Sequence, residues 1–585
     1  MPALSFDAEQ LIRLGRVQSY ALAPDGTWAA VAVQRLDGEG GKYVSAIWRV
    51  SLTPGAHDAK TEAATQLTRG PSDDSAPCFR ADGALGFLSN RRLGDTPGDR
   101  KQVWLVDAAG GDPRPLTDEP LGVQGFRFAR AAPALVCLAS VLPGIEATRQ
   151  REVAEDRKKR GPTLLRYRQM PVRFWDHWLP DAAPHLIAYS DEGEDRRDLT
   201  PSSARELIEI EWDLDPLGRF VITTEQRPGQ DRVHDTDLVR IDLPTGEKRR
   251  LVGTERGQHG CPVISRDGRW LAATRHVRSE TAHGPIVLVL SDLESGTTRR
   301  LKGLDRWLMP QTFSDDGLAL FAVGDDQGAR PVFRVDLETG AVDRVTVESA
   351  SGNHGSVLVI PGRSALAMIR DTFFDPPELA TVAAFAASTP EMVTSLSGFD
   401  AAAARESVIA ESHRTTVDGR SVQWWSLRPA KPVADGPGLL WIHGGPHGQW
   451  TDGWHWRWNP LVPVARGYSV AMPNPSGSTG FGQQLVEDVF GNRWGEQCYR
   501  DVMAVAEELA ARPEVSSDKL AAMGGSFGGY MTNWIGGNTN RFAALVTHAS
   551  VFDLALFHGT TDLPAWYSVD LGGIDPDHEP EAMRR

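Results

Sequence analysis

Between about residues 17 and 395 the chain is written in short apolar runs of β-type period, separated by polar turns in which Asp-Gly and Thr-Gly recur. A helical signal precedes them. Asp7 is followed three residues later by Gln10, with Leu11, Ile12 and Leu14 close to helical spacing, which predicts a short helix within residues 1–16, expected to pack on the C-terminal domain. Glycine-ended turns then recur at Ala23-Pro24-Asp25-Gly26, Arg80-Ala81-Asp82-Gly83, Asp215-Pro216-Leu217-Gly218, Ser265-Arg266-Asp267-Gly268 and Ser314-Asp315-Asp316-Gly317, each followed by an apolar strand. A second turn follows in several units, as at Asp242 to Gly246, Asp292 to Gly296 and Asp336 to Gly340, so each unit holds two hairpins.

Gly218, Gly268 and Gly317 stand 50 and 49 residues apart, the length of four short strands with their loops. Two weaker units, Phe126 to Ser140 and Ser356 to Arg370, keep the strand pattern without the Asp-Gly turn. The expectation is a β-propeller of about seven blades over 17–395. The interval from Gly83 to Gly218 is 135 residues, and its excess predicts an insertion near 146–181. Its first part mixes Arg, Lys and Glu as a solvated helix does. Its second, Arg173-Phe174-Trp175-Asp176-His177-Trp178, is aromatic enough to line a pocket, although such clusters more often pack a core.

Past the alanine-rich, proline-punctuated stretch 371–407 the pattern changes, and residues 396–585 are read as an α/β-hydrolase domain. Arg414 to Trp425 reads as a hairpin at a sheet edge. Leu439 to Ile442, Tyr468 to Met472 and Leu520 to Met523 are short apolar runs, with a helical stretch from Arg500 to Ala511, and strands alternating with helices mean an α/β sheet.

The third of these runs leads into Gly524-Gly525-Ser526-Phe527-Gly528-Gly529-Tyr530-Met531, a GxSxG pattern that reads as strand, sharp turn and helix. A serine at such a turn sits in a strained backbone and needs small neighbours, which Gly524 and Gly528 supply. The first run leads into His443-Gly444-Gly445-Pro446. A backbone N–H near Gly445 and that of Phe527 would supply the two donors that acyl transfer needs where the carbonyl oxygen becomes negative.

Composition narrows the partners. The net charge is −15 and no basic stripe dominates, so nucleic acid and anionic membrane surfaces are not suggested, and small or neutral substrates fit better. Cys78, Cys137, Cys261 and Cys498 lack CxxC spacing, which argues against a zinc site or a disulfide framework and leaves free, buried thiols. No signal sequence or membrane-length apolar run is read, so a soluble, cytoplasmic protein is expected, with no cofactor and no metal. A homo-oligomer is left open.

These residues resemble the prolyl oligopeptidase family of serine peptidases, in its acylaminoacyl-peptidase and dipeptidyl-peptidase-like branch, over nearly the whole chain. The resemblance rests on His443 to Pro446, on Asn474-Pro475-Ser476-Gly477-Ser478-Thr479-Gly480-Phe481-Gly482, on Trp494-Gly495 with Asp501, and on Gly524 to Met531. Ser476 departs from it, since the family usually places arginine there. The resemblance implies an α/β-hydrolase domain capped by a propeller that limits access to short peptides. It implies Ser526 as nucleophile, Gly445 and Phe527 as oxyanion donors through their N–H groups, and Tyr530 as a substrate contact. The triad order is Ser, Asp, His, and the acid and base usually lie roughly 80 and 110 residues past the serine. Here 59 residues follow Ser526, so the triad Asp and His are expected to be absent, the sheet to be left with an exposed apolar edge strand, and this chain alone to be a poor hydrolase. His548, His558 and His578 do not have the family's place, and His443, His447 and His455 precede the serine, where a loop or supporting role is expected. The leading reading is a serine peptidase acting near the amino end of short peptides. An esterase on the same fold and an inactive, propeller-based binding protein are the alternatives.

Overall fold

The computed structural model describes residues 4–562, 570 and 573, apart from 39, 54–63, 93–97, 162–166, 168–171, 175, 204–205, 229–233, 253–256, 279–282, 302–303, 350 and 492. Among the described residues, the first two thirds of the chain form seven four-stranded antiparallel units, spanning 16–66, 74–115, 123–198, 212–252, 257–300, 308–344 and 353–392. The fourth and fifth are joined by one parallel bridge, Thr236 to Gln258. In five units the first and second strands meet at the turns legible in the sequence. Gly26, Gly83, Gly218, Gly268 and Gly317 all have φ between 67° and 90°, and each donates its N–H to the carbonyl three residues back. That backbone is unstrained only for glycine, which is why the signal is so regular.

The units close on themselves through their hydrophobic faces. One apolar cluster lies between each consecutive pair, from Ala32 and Ile47 against Phe87 and Trp104 at the first junction to Phe321 and Val332 against Leu366 and Met368 at the sixth. A seventh cluster packs Val17, Val31 and Val33 of the first unit against Ile360, Ala367 and Leu379 of the last. There Tyr20 donates its hydroxyl hydrogen bond to the carbonyls of Ser356 and Ala367, at 2.6 and 2.7 Å. Every junction thus buries side chains from both neighbours, so the seven units form a ring.

The insertion lies between the second and third strands of the third unit. It carries α2 (Gln150–Arg160), whose charged residues face solvent, and a two-stranded hairpin, Arg173–Phe174 with His177–Trp178. The core placement favoured for the aromatic cluster is not seen at Trp178, which is 59% exposed and stacks on Tyr167. Trp175 lies outside the described residues. All four cysteines are free, with Cys137 and Cys498 buried.

The C-terminal part is a six-stranded mixed sheet of β1 (Val408–Val417), β2 (Arg420–Pro429), β3 (Gly436–Ile442), β4 (Ser469–Asn474), β5 (Val515–Gly525) and β6 (Ala544–His548), in the order β1-β2-β4-β3-β5-β6. β1 and β2 are the expected edge hairpin, and β4, β3, β5 and β6 are parallel. Helices α3 (Tyr499–Ala510) and α4 (Phe527–Asn538) pack Val502, Val505 and Met531 onto Leu440 and Ala522. α1 (Ala8–Arg13) starts with a reciprocal Asp7–Gln10 capping box, and Leu11 joins Phe6, Trp450 and Trp454 in the cluster on the opposite face of this sheet. β6 is exposed along its whole length, with Val546 within it 54% exposed, and Phe552 and Leu556, which follow it in the chain, are 80% and 64% exposed.

The ring lies over the carboxyl ends of the parallel strands. Gly328 of the sixth unit takes the N–H of Asp452, from the segment following β3, through its carbonyl, and Gln327 donates to the carbonyl of Gly480 beyond β4. Thr479 donates to Asp325 and Trp307 to Gln483, so the loops where chemistry is expected sit between ring and sheet.

Candidate active site

β5 ends at Gly525 and α4 begins at Phe527, leaving Ser526 alone at the turn with φ 58° and ψ −121°. A non-glycine residue in that region stores roughly 1–3 kcal/mol and persists only where its surroundings fix it. They do so by removing all space. A Cβ on Gly524 would collide with the backbone of Gly528, and one on Gly528 would collide with Ile442 and lie 2.8 Å from the carbonyl oxygen of His443. The Ser526 N–H donates to the carbonyl of His548 on β6 at 3.0 Å. The turn is therefore clamped between β3 and β6.

The His443 to Pro446 loop lies directly beside it. A Cβ built on Gly444 would be 3.3 Å from Ser526 Cβ and 3.9 Å from Ser526 Oγ. Among the described residues no acceptor engages the N–H of Gly445 or of Phe527. Phe527 is the first residue of α4, so its N–H is one of the helix's unpaired donors and lies at the positive end of the helix dipole. The strand-turn-helix and the adjoining glycine loop expected from sequence are thus brought together.

His443 is buried, which pushes its imidazole down to about 4, so it is neutral near pH 7. Its Nδ1 faces the carbonyl of Gly444 at 2.7 Å and its Nε2 faces Ser478 Oγ at 3.0 Å. A carbonyl can only accept, so Nδ1 carries the proton, while the single hydroxyl proton of Ser478 is shared between Nε2 at 3.0 Å and the Pro475 carbonyl at 2.6 Å. His447 lies between the carbonyl of Gly477 and the buried carboxylate of Asp570, at 3.2 and 3.1 Å. His455 accepts backbone N–H groups of Arg457 and Trp458 at Nδ1, and burial pushes its imidazole down to about 4 as well. His455 thus bonds within its own loop, whereas His443 and His447 tie theirs to the loop after β4, and His447 also to Asp570.

Sequence reasoning missed Arg420. It starts β2, and its guanidinium reaches Ser476 Oγ, Asp488 and Asp501 at 2.5, 3.2 and 3.0 Å. Asp501 is fully buried and also accepts the N–H and the hydroxyl of Ser476, at 2.8 and 2.7 Å. Position 476, where the resemblance led us to expect an arginine, is thus served by a guanidinium from another strand. No local signal marks this, because an arginine following an Asp-Gly turn reads as a solvated residue.

Tyr530 lies on α4, one turn past Ser526. It is buried against Trp494, Phe527 and Trp534, with ring centroids 5.5, 6.0 and 6.1 Å away, and burial pushes its phenol up to about 12. The ring thus belongs to the core cluster that α4 packs onto the sheet. Of the histidines after Ser526, His548 is exposed at the end of β6, His558 is buried on α5 (Leu554–Thr560), and His578 lies outside the described residues. Among the described residues Ser526 Oγ has no hydrogen-bond partner. No group of three or more His, Cys, Asp or Glu among them is disposed to hold a metal, and no helix is long and apolar enough to cross a membrane.

Comparison with known proteins bears on this geometry. Residues 454–585 match the model of the prolyl oligopeptidase family of peptidases. The chain is 27% identical to the uncharacterized peptidase YuxL of Bacillus subtilis, over 96% of this chain and 84% of that protein. It is 24% identical to dipeptidyl-peptidase 5 of Porphyromonas gingivalis, over 97% of this chain and 81% of the relative. Its fold is similar to that of an acylaminoacyl peptidase solved in complex with Z-Gly-Gly-Phe-chloromethyl ketone, with a TM-score of 0.78 at 15% identity, over 99% of this chain and 84% of that one. A puromycin-hydrolyzing peptidase of Mycobacterium tuberculosis gives 0.66 at 18% identity, over 100% and 85%.

Proposed function

We infer that this chain, a member of the prolyl oligopeptidase family, is a serine peptidase that cleaves short peptides near their amino end, as dipeptidyl or acylaminoacyl peptidases do, through an acyl-enzyme on Ser526. The observation that carries this reading is the strained Ser526 turn held against Gly444, with two unengaged N–H groups beside it. We read the seven-unit ring as a seven-bladed propeller capping an α/β-hydrolase sheet, so that the peptide reaches Ser526 only through the space between the two.

The chemistry follows from the donors and the nucleophile. Ser526 Oγ bonds to the scissile carbonyl carbon as its proton passes to a general base, a role we assign to no described residue. The carbonyl oxygen takes the negative charge and is met by the N–H groups of Gly445 and Phe527, an interaction stronger in the tetrahedral state than in the ground state. Collapse breaks the C–N bond, the amine leaves with a proton, and water then releases the acyl group by the same route. In this reading the cap would set the size limit by keeping a folded protein out of the space between ring and sheet.

The test is an assay of the full-length protein on dipeptidyl and N-acetyl-aminoacyl chromogenic amides, beside simple chromogenic esters and a folded protein substrate. Turnover of the blocked or dipeptidyl amides, lost in Ser526→Ala, is the expected result. Turnover of esters alone would replace the peptidase reading by an esterase on the same fold, and turnover of none would favour a binding protein.

A further inference from the structure

The hydrogen-bonded chain from Arg420 to Gly444 has a geometrical consequence for the oxyanion donors. The peptide between Gly444 and Gly445 is trans, since among the described residues the bond before Pro446 is the only cis one. In a planar trans peptide the carbonyl oxygen and the N–H point in opposite directions. Whatever fixes the Gly444 carbonyl therefore also fixes the direction of the Gly445 N–H. The Gly444 carbonyl is fixed by His443 Nδ1 at 2.7 Å.

The His443 contact needs the proton on Nδ1, which the acceptor-only Gly444 carbonyl imposes, and Ser478 holds the opposite edge of the ring. Ser478 lies 3.0 Å from Nε2 and also 2.6 Å from the carbonyl of Pro475, so it is held in the loop that follows β4. Two residues before it, Ser476 is tied by backbone and side chain to buried Asp501, whose charge is met by Arg420. Each link is buried or partly buried, and each leaves the next group one partner fewer if it is cut.

Building on the reading of Ser526 as nucleophile, we propose that Arg420, Asp501, Ser478 and His443 form a positioning relay that aims the Gly445 N–H at the oxyanion. None of them touches the reacting atoms. Their contribution is therefore to kcat, through the orientation of a donor used in the transition state, and not to substrate affinity. The relay also explains why this chain carries serine at 476: the guanidinium that Asp501 requires enters from Arg420.

The experiment compares His443→Ala, His443→Asn, Ser478→Ala, Arg420→Ala and the swap Arg420→Ala with Ser476→Arg, all in the full-length protein. Steady-state kinetics on a chromogenic amide, the rate of Ser526 modification by a fluorophosphonate, and the thermal midpoint are measured for each. Loss of one oxyanion donor costs on the order of 10²–10³ in kcat. His443→Ala is expected to approach that loss with KM within about 2-fold, and Ser478→Ala to fall about 10-fold. His443→Asn, whose amide N–H can replace Nδ1–H, is expected to recover most of kcat. Arg420→Ala leaves a buried carboxylate unpaired and is expected to fold poorly, while the swap restores both the midpoint and kcat. The proposal is overturned if His443→Ala folds with kcat within 2-fold of the parent, if KM rises in place of a fall in kcat, or if Asn does no better than Ala. A swap that restores the midpoint without kcat removes Arg420 from the relay. A parent protein that neither turns over amides nor is modified at Ser526 refutes the nucleophile reading and this proposal with it, and Ser526→Ala identifies that case separately.

Discussion

Asp371 of the ring accepts the backbone N–H of Trp454 at 2.7 Å, and Asp452, two residues before that tryptophan, accepts the backbone N–H of Phe373, two residues after Asp371, at 2.9 Å. The two carboxylates thus stitch the last ring unit to the segment after β3 in a reciprocal pattern. Both are half-buried, and desolvation pushes both up, Asp371 to about 7. Asn353, Arg370 and Asp452 face Asp371, and Ser351, Arg370 and Asp375 face Asp452.

This pair makes stability depend on pH with a definite sign. Asp371 binds its proton more tightly in the folded than in the unfolded state, so its contribution is complete below about pH 4 and is lost as pH rises to about 7, with a slope of roughly 1.4 kcal/mol per pH unit inside that window. The thermal midpoint is expected to be lower at pH 8 than at pH 5.5. Asp371→Asn, which keeps an acceptor for Trp454 without a charge to desolvate, should flatten that difference, and an unchanged pH profile in the variant would contradict the assignment.

Ser526→Gly is expected to abolish turnover and yet stabilise the protein. Glycine adopts φ 58° without strain, so roughly 1–3 kcal/mol is relieved, less about 1 kcal/mol for the freer unfolded chain. Urea unfolding measures the balance, and a destabilised variant would mean that the turn is not strained.

Gly528→Ala introduces a methyl group where Ile442 and His443 already stand. Backbone cannot yield as a side chain can, so a loss of about 3 kcal/mol or more is expected, with Ser526 displaced. Denaturant unfolding and the rate of serine modification should fall together; a variant of parental stability would show that β3 and α4 can separate.

Tyr530→Phe keeps the ring that packs on Trp494 and Phe527, and should leave both kcat and KM within about 2-fold. Tyr530→Ala should cost roughly 3–5 kcal/mol in stability. A selective rise in KM for Tyr530→Phe would mark the residue as a substrate contact.

What was legible in the sequence is what is local. The five glycine-ended turns, the Asp7 cap and the Ser526 turn each follow from a few adjacent residues whose backbone geometry has one economical solution. The closure of the ring by Tyr20 on Ala367, the Asp371–Trp454 bond and the Arg420–Asp501 pair join residues 347, 83 and 81 positions apart, and no periodicity announces them. The packing of Tyr530 is of the same kind: a tyrosine one turn past a nucleophile can face substrate or core, and a single sequence does not place Trp494 beside it.

The central claim is that Ser526 is an activated nucleophile, and it is tested most directly by treating the full-length protein with a fluorophosphonate and locating the adduct by peptide mass spectrometry. The account predicts a single stoichiometric adduct on Ser526, formed at a rate that saturating dipeptidyl amide slows, and absent from Ser526→Ala. An unmodified Ser526, or modification of another residue that accompanies loss of turnover, would contradict it.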